Sequence, residues 1–372
     1  MGAALLVATL TGPAQAEAPL LEEVVEFTGA IAFFQNKTPG FVIGATRDGE
    51  RAVFGFGETA EGSGVSPDGR TLLRIGSVTK VFTGGVLASL AADGTVALTD
   101  PLEKRLGWEI KPPERDGRAV RLVDLATHAG GFPREVPHEP GPSDDPFSTI
   151  TEEAFKEALQ TQELLFAPGT GALYSNMGFD LLSAALSTAA RKPYDALLAE
   201  RLTGPLGMND TTFAPTAEQK ARSMQGHGFD GAPLPDAPTV PLIMGSGGLY
   251  STTDDILTWL EWQLDRSSAQ DAETRALSQA PWLQRDGLSP AFGLDESGFA
   301  DAVALGWIVM MPEGDRPLIL QKAGGLQGVF CYAAFAPAHG IGAFAAVNAF
   351  DIDAGLGLAR MVNELIADVA AP

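Results

Sequence analysis

Ser77 and Lys80 stand three residues apart in "RIGSVTKVFTGGVLASLAADG", residues 74–94, and that spacing can make a nucleophile. On a helix, residues three apart share a face, so the Lys80 amine can lie against the Ser77 hydroxyl. A serine hydroxyl attacks poorly until a neighbouring base takes its proton. A solvated lysine, with a pKa of about 10.4, is protonated and cannot be that base. Here Val78, Val81, Phe82, Val86, Leu87, Leu90 and Ala91 surround it, and burial among them favours the neutral amine. Ser77 at the helix start would also aim backbone N–H groups at a developing oxyanion. An S-x-x-K by itself is weak evidence, because a serine N-cap followed by a snorkelling lysine reads identically. This one is the only S-x-x-K in the chain, and it opens an apolar helix.

Two further stretches supply partners for it. "GALYSNMGFDLL" presents Tyr174 and Asn176 just before a helix, and "LILQKAGGLQG" presents Lys322 at a strand end, followed by Ala323, Gly324 and Gly325. Small residues after Lys322 let a ligand approach the backbone closely. S-x-x-K, Y-x-N and K-x-G in this order resemble the serine penicillin-recognising enzymes, the class C β-lactamases and low-molecular-weight penicillin-binding proteins. "LATHAGGFPRE", "FAPGTGALYSNMGFDLL", "PLGMNDTTF" and "GSGGLYSTTDD" read as connecting segments of the same family. The pattern is most similar to the AmpH-type D-alanyl-D-alanine carboxypeptidase/endopeptidases, in "THAGGFPRE" and "QKAGG" above all.

The resemblance implies roles for these residues. Ser77 would be the acylated nucleophile, and Lys80 would receive or relay its proton. Tyr174 would be general base or proton shuttle, its phenolate favoured by Lys80 and Lys322. Whether Tyr174 or Lys80 is the base stays open. Asn176 would bind the substrate amide and orient Lys80, Lys322 would face the substrate carboxylate, and the Ser77 and Gly325 N–H groups would form the oxyanion hole. One departure stands out. The family usually carries Thr or Ser after this lysine, and Ala323 has no hydroxyl to offer. Carboxylate recognition would then rest on Lys322, with Arg134 a candidate helper and a surface ion pair the alternative reading of that arginine.

The implied activity is a serine hydrolase acting through an acyl-enzyme on D-alanyl-D-alanine ends or cross-links of peptidoglycan stem peptides, and binding β-lactams, with no metal or cofactor. A carboxylesterase or weak class C-like β-lactamase using the same residues is the alternative that Ala323 favours. No G-x-S-x-G elbow is present, which opposes an α/β-hydrolase. A non-catalytic cell-wall-binding protein on the same scaffold would fit a lost nucleophile, base or lysine, yet all three stand. His128, Tyr250 and Ser251 read as architecture, Trp307 as core, and Cys331 as buried and inert.

The elements that must position these groups follow from periodicity. "FTGAIAFFQ" and "GFVIGATRDGERAVFGFGE", with its Asp48-Gly49 turn, read as antiparallel strands. The Ser77 helix stops at Gly94, and residues 96–240 read as mostly helical, interrupted by Pro-rich loops at 133–146 and 231–241. Ser251 to Asp254 reads as a capping box opening "TTDDILTWLEWQL". Strand signals return in "VALGWIVMM", "PLILQKAGG", "GVFCYAAFAP" and "IGAFAAVNA", and a helix near 353–369 closes the chain. The expected fold is α+β, β-lactamase/transpeptidase-like: an antiparallel sheet flanked by helices, with an inserted, mainly helical lobe. The sheet lobe would take about 17–95 and 242–372, and the helical lobe about 96–241, in one domain over 17–372.

"MGAALLVATLTGPAQAEAP" has an apolar run from Ala3 to Leu10 and an A-x-A site at Ala14–Ala16, so residues 1–16 read as a secretory signal, although the basic n-region is missing. An N-terminal packing segment is the alternative. A periplasmic or otherwise exported location follows from the first reading, and no other stretch is apolar enough to span a membrane. With 25 basic against 47 acidic residues the net charge is −22, which excludes nucleic acid or an anionic membrane as partner. The single cysteine allows no internal disulfide, and four histidines far apart form no metal-ligand spacing.

Overall fold

The computed structural model describes residues 20–142, 144–349 and 352–371. The expected signal segment 1–16 lies outside the described residues.

An eight-stranded sheet organises the chain. In sequence order its strands are β1 (Gly40–Arg47), β2 (Glu50–Gly57), β3 (Leu283–Gln284), β4 (Ala302–Val303), β5 (Ile308–Met310), β6 (Ile319–Leu326), β7 (Val329–Ala336) and β8 (Ile341–Val347). Across the sheet they run β2-β1-β8-β7-β6-β5-β4-β3, every pairing antiparallel. The β1–β8 pairing sets Phe41 opposite Val347 and Ile43 opposite Ala345, so strands from opposite ends of the chain make one sheet, as the strand pattern predicts. Asp48 and Gly49 form the β1–β2 turn, both with positive φ (52° and 87°), the backbone that a two-residue hairpin needs.

Six longer helices cover the sheet and fill the space beside it: α1 (Leu21–Asn36), α2 (Thr79–Ala92), α3 (Glu152–Thr161), α4 (Asn176–Ala190), α5 (Thr253–Leu264) and α6 (Ile352–Ala370). Alternate strand residues face opposite ways, so the sheet carries two cores. Ile43, Ile319, Tyr332, Ala334 and Ala345 pack toward α1 and α6. Val42, Leu320, Cys331, Phe335 and Phe344 pack toward α2 and α5. On the second side Phe82 of α2 stacks on Trp259 of α5 with ring centroids 4.7 Å apart.

Three expectations need correction. "FTGAIAFFQ" is not a strand; it forms most of α1. Leu21, Val25 and Ala32 recur at helical spacing on the buried side, and Glu22 and Glu23 occupy the first turn, where acids favour a helix. A short apolar run with Phe27, Ile31 and Phe34 left exposed looks like a strand because periodicity cannot resolve it. Ser251 does not cap α5. It ends a two-residue strand, Tyr250–Ser251, paired with Leu73–Arg74, and Thr252 caps instead, its hydroxyl accepting from Asp255 N–H at 3.2 Å. Ser77, finally, is not on the first turn of α2 but on a 3₁₀ turn, Gly76–Val78, leading into it.

Candidate active site

The site forms where that 3₁₀ turn meets an unpaired stretch of strand edge. β5 pairs only with Ile319–Gln321 of β6, which leaves the Lys322–Leu326 edge open. The turn presses directly on it. A Cβ at Gly324 would lie 2.1 Å from Ile75 O, and one at Gly76 would lie 2.6 Å from Gly325 N. No real Cβ fits at either place, so glycine at both lets Ser77 and the Gly325 backbone sit side by side. Cys331 on β7 is buried behind this contact, its thiol donating to Ile75 O at 3.3 Å and pushed up by burial, so it is a protonated packing group.

Lys80 is fully buried, and its Nζ meets three acceptors: Ser77 Oγ at 3.1 Å, Asn176 Oδ1 at 2.6 Å and Ser246 O at 2.7 Å. Among the described residues no carboxylate makes an ion pair with it. Burial, and after it the nearby Lys322 cation, hold the amine well below the ordinary lysine range. The sequence expectation that burial favours the neutral amine agrees with this environment.

Tyr174 is also buried, with three basic groups around its ring: Lys322 Nζ stands 4.6 Å from the centroid, the Arg134 guanidinium 4.8 Å and Lys80 Nζ 5.0 Å. Burial nevertheless pushes the phenol up, outweighing the side-chain hydrogen bond with Ser77 and the pull of Arg134. Burial thus opposes the resting phenolate implied above from the lysines. His128 stacks on Tyr174 at 4.4 Å between centroids and accepts the Ser175 N–H on Nδ1 at 3.1 Å. Burial, with Lys322 and Lys80 close by, holds this histidine well below its ordinary value, so it is a neutral platform.

Lys322 is 3% exposed, and burial pushes it down to about 7. No hydrogen-bond acceptor within the described residues holds its ammonium. Arg134 makes the ion pair that was its alternative reading, Nη1 to Glu296 Oε1 at 2.7 Å, yet it also lines the cleft against Tyr174. Ala323 turns its methyl to the face of β6 opposite Lys322, into the core under α1 and α6.

Several residues at the cleft carry no sequence signal strong enough to find them. Glu135 accepts from Asn176 Nδ2 at 2.5 Å, so the Asn176 amide spans from Lys80 to an acid. Asp180, one helical turn beyond Asn176 on α4, accepts the Ser246 N–H at 2.9 Å and is pushed up by burial. The i, i+4 spacing of Asn176 and Asp180 was available as a clue, whereas the Ser246 carbonyl has no side chain to betray it. Two cavities flank Ser77. One of about 670 Å³ runs past Glu135, Phe147, Asp180, Ile243 and Gly247. The other, about 140 Å³, lies between Tyr174, Ser297, Lys322 and Arg134.

A hydroxyl touching a deprotonatable amine and a buried phenol, on a turn packed against the Gly325 backbone beside open space, can carry acyl transfer. Comparison with known proteins gives the same class of chemistry. The sequence profile of the β-lactamase family matches residues 14–367. The D-alanyl-D-alanine-carboxypeptidase/endopeptidase AmpH of Escherichia coli (strain K12) is 35% identical over 378 residues, covering 99% of this chain and 95% of that one. The crystal structure of a β-lactamase/D-alanine carboxypeptidase from Yersinia pestis, complexed with citrate, superposes with a TM-score of 0.86 at 35% identity, over 96% of this chain and all of that one. A β-lactamase/D-alanine carboxypeptidase from Pseudomonas syringae shares the fold, with a TM-score of 0.76 at 19% identity, over 94% of this chain and 98% of that one. The expected fold class is thereby met, and the chain belongs to the β-lactamase family of penicillin-recognising serine hydrolases.

Proposed function

We propose that this chain is an exported D-alanyl-D-alanine carboxypeptidase/endopeptidase that acts on peptidoglycan stem peptides through an acyl-enzyme on Ser77 and is acylated by β-lactams. The observation that carries the reading is the set of three oxygens around Lys80 Nζ. A neutral amine has two N–H donors and one lone pair. Asn176 Oδ1 and Ser246 O accept only, so they take both N–H groups. The lone pair is left facing Ser77 Oγ, and the serine hydroxyl becomes the donor. Lys80 is then the base.

In the first step Ser77 Oγ bonds to the carbonyl carbon and its proton passes to Lys80 Nζ. The oxyanion is held by the Ser77 and Gly325 N–H groups, a type of contact worth about 10²–10³ in rate per donor. The Tyr174 phenol gives its proton to the leaving nitrogen as the C–N bond breaks, and the Lys80 ammonium returns one to the phenolate. Water then repeats the sequence on the ester, releasing the acid and Ser77. Asn176 orients Lys80, Lys322 faces the substrate carboxylate, and the relatives' names supply the peptide substrate. The A-x-A site at Ala14–Ala16 supports export.

Intact-mass analysis after incubation with a fluorescent penicillin is expected to show one adduct on Ser77, absent from Ser77→Ala. Release of D-alanine from a D-alanyl-D-alanine peptide, and of monomers from cross-linked dimers, should accompany it. An unlabelled wild-type protein would sink the reading. Ala323 favours one other reading, a carboxylesterase with the same site; fast turnover of a p-nitrophenyl ester without any peptide cleavage would select it.

A further inference from the structure

We propose that the Ser297 hydroxyl stands in for the one missing at position 323 and, with Lys322, forms a subsite for a substrate carboxylate beside Ser77. The inference rests on the reading of Ser77 as an acylated nucleophile. The smaller cavity is built for an anion. Lys322 enters it nearly fully buried and, among the described residues, without an acceptor, and Arg134 adds a second cation. Glu296, the only acid among the lining residues, is already paired with Arg134 at 2.7 Å. Lys322 attracts a carboxylate as a point charge and orients it loosely, and the Arg134 fork, which could orient it, is already engaged by Glu296.

Ser297 supplies the direction. It is 8% exposed, lines the same cavity, and its Oγ lies 3.1 Å from Gln321 Oε1. Residues two apart on a strand share a face, so Gln321 and Ala323 project to one side of β6 and Lys322 to the other. A hydroxyl held on Gln321 is thus on the side toward which a threonine or serine at 323 would reach.

The Gln321 amide also shows how the hydroxyl proton becomes available. Gln321 is fully buried, and among the described residues its Nε2 has no hydrogen-bond partner. An unmade buried donor is costly. Turning the amide over lets Nε2 donate to Ser297 Oγ and leaves Oε1 in the unpartnered place, where a buried carbonyl oxygen is tolerated better than a buried N–H, and it frees the Ser297 O–H for the cavity. A bound carboxylate rewards that arrangement; the empty cavity does not.

The test compares Ser77 acylation by benzylpenicillin with acylation by its methyl ester, read by intact mass over time. In Ser297→Ala the ratio of the two rate constants, acid over ester, is expected to fall about tenfold, the usual scale for a hydrogen bond to a charged group. Adding Ala323→Thr to that variant is expected to bring the ratio back to within about threefold. A ratio unmoved in Ser297→Ala, including both rates falling in parallel, overturns the inference while leaving Ser77 chemistry standing. A ratio that Ala323→Thr leaves low assigns the loss to packing at Gln321 and overturns it too. If neither compound acylates the unmutated protein, the parent reading fails and takes this one with it.

Discussion

Arg74 and Lys80 are buried cations six residues apart, and they are treated in opposite ways. Arg74, 4% exposed, donates to Asp236 Oδ1 from Nε and Nη2 at 3.2 and 3.1 Å, to Thr239 Oγ1 at 3.0 Å, and to Ala237 O. Its guanidinium lies 4.1 Å over the Tyr250 ring. Every face of that charge is compensated, and the product is architecture: the Pro-rich 231–241 loop is pinned to the sheet side. Lys80 meets three neutral oxygens and, among the described residues, pairs with no carboxylate. Keeping it charged there costs on the order of several kcal/mol, and burial holds its amine well below the ordinary lysine range. Burial of a cation is therefore not the mark of catalysis; burial without a counter-ion is.

The sharpest way to break this comparison is to remove the uncompensated amine. Lys80→Met keeps the length and apolar stem and deletes only the base. Acylation of Ser77 is expected to fall about 10⁴-fold, as when one member of a catalytic unit is lost. Thermal unfolding is expected at an equal or higher temperature, because an unpaired buried amine has been replaced by a thioether. A variant that unfolds several degrees lower would show that Lys80 is a structural residue like Arg74.

The next effect comes from the backbone. Gly324→Ala places a methyl where Ile75 O stands 2.1 Å away, forcing β6 and the Ser77 turn apart. The Ser77 and Gly325 N–H groups then cannot converge, and kcat/KM is expected to drop about 10²–10³-fold. Near-wild-type rates in Gly324→Ala would remove Gly325 from the oxyanion hole.

How much of this was readable beforehand depends on the range of the contact. Ser77 and Lys80 are three residues apart, and their pairing follows from local geometry even though a 3₁₀ turn replaces the first turn of helix. Tyr174, Asn176 and Lys322 were found because each sits in a short stretch whose neighbours are diagnostic. Glu135, Asp180 and Ser297 were not found, since each matters only through a partner far away in sequence: Asn176, Ser246 and Gln321. α1 was misread because helix and strand differ little over nine apolar residues when the buried face is unknown. Thr252 took the cap from Ser251 because strand pairing with Leu73 uses Ser251 first.

Protonation offers a gentler probe of the same contrast. Lys322 is held down to about 7, mainly by burial and further by Arg134, against the opposing pull of Glu296. Its cation is the form that faces a carboxylate, and that form is lost as pH rises through about 7. For carboxylate-bearing substrates kcat/KM, which reports the free protein, is expected to fall up to about tenfold per pH unit above that point. Lys80 must be neutral, so its own limb lies on the acid side. A neutral ester should lack the Lys322 limb. Identical profiles for both substrates would assign the alkaline limb to another group.

The smallest expected effect on rate, and the largest on stability, belongs to the compensated cation. Arg74→Met leaves the Asp236 carboxylate facing the buried Tyr250 hydroxyl and Lys220 without its main counter-ion. Breaking one half of a buried pair costs about 3–5 kcal/mol, and the half-exposed Asp236 puts this case at the low end. Thermal unfolding should shift down by several degrees. Thr239, released from Arg74, keeps donating to Gly248 O at 2.8 Å, two residues from Ser246, whose carbonyl holds Lys80. Rates measured well below the unfolding transition are therefore expected to change by less than about tenfold. A loss as deep as that of Lys80→Met, in protein shown to be folded, would mean that the two cations form a single catalytic unit and that pairing does not separate them.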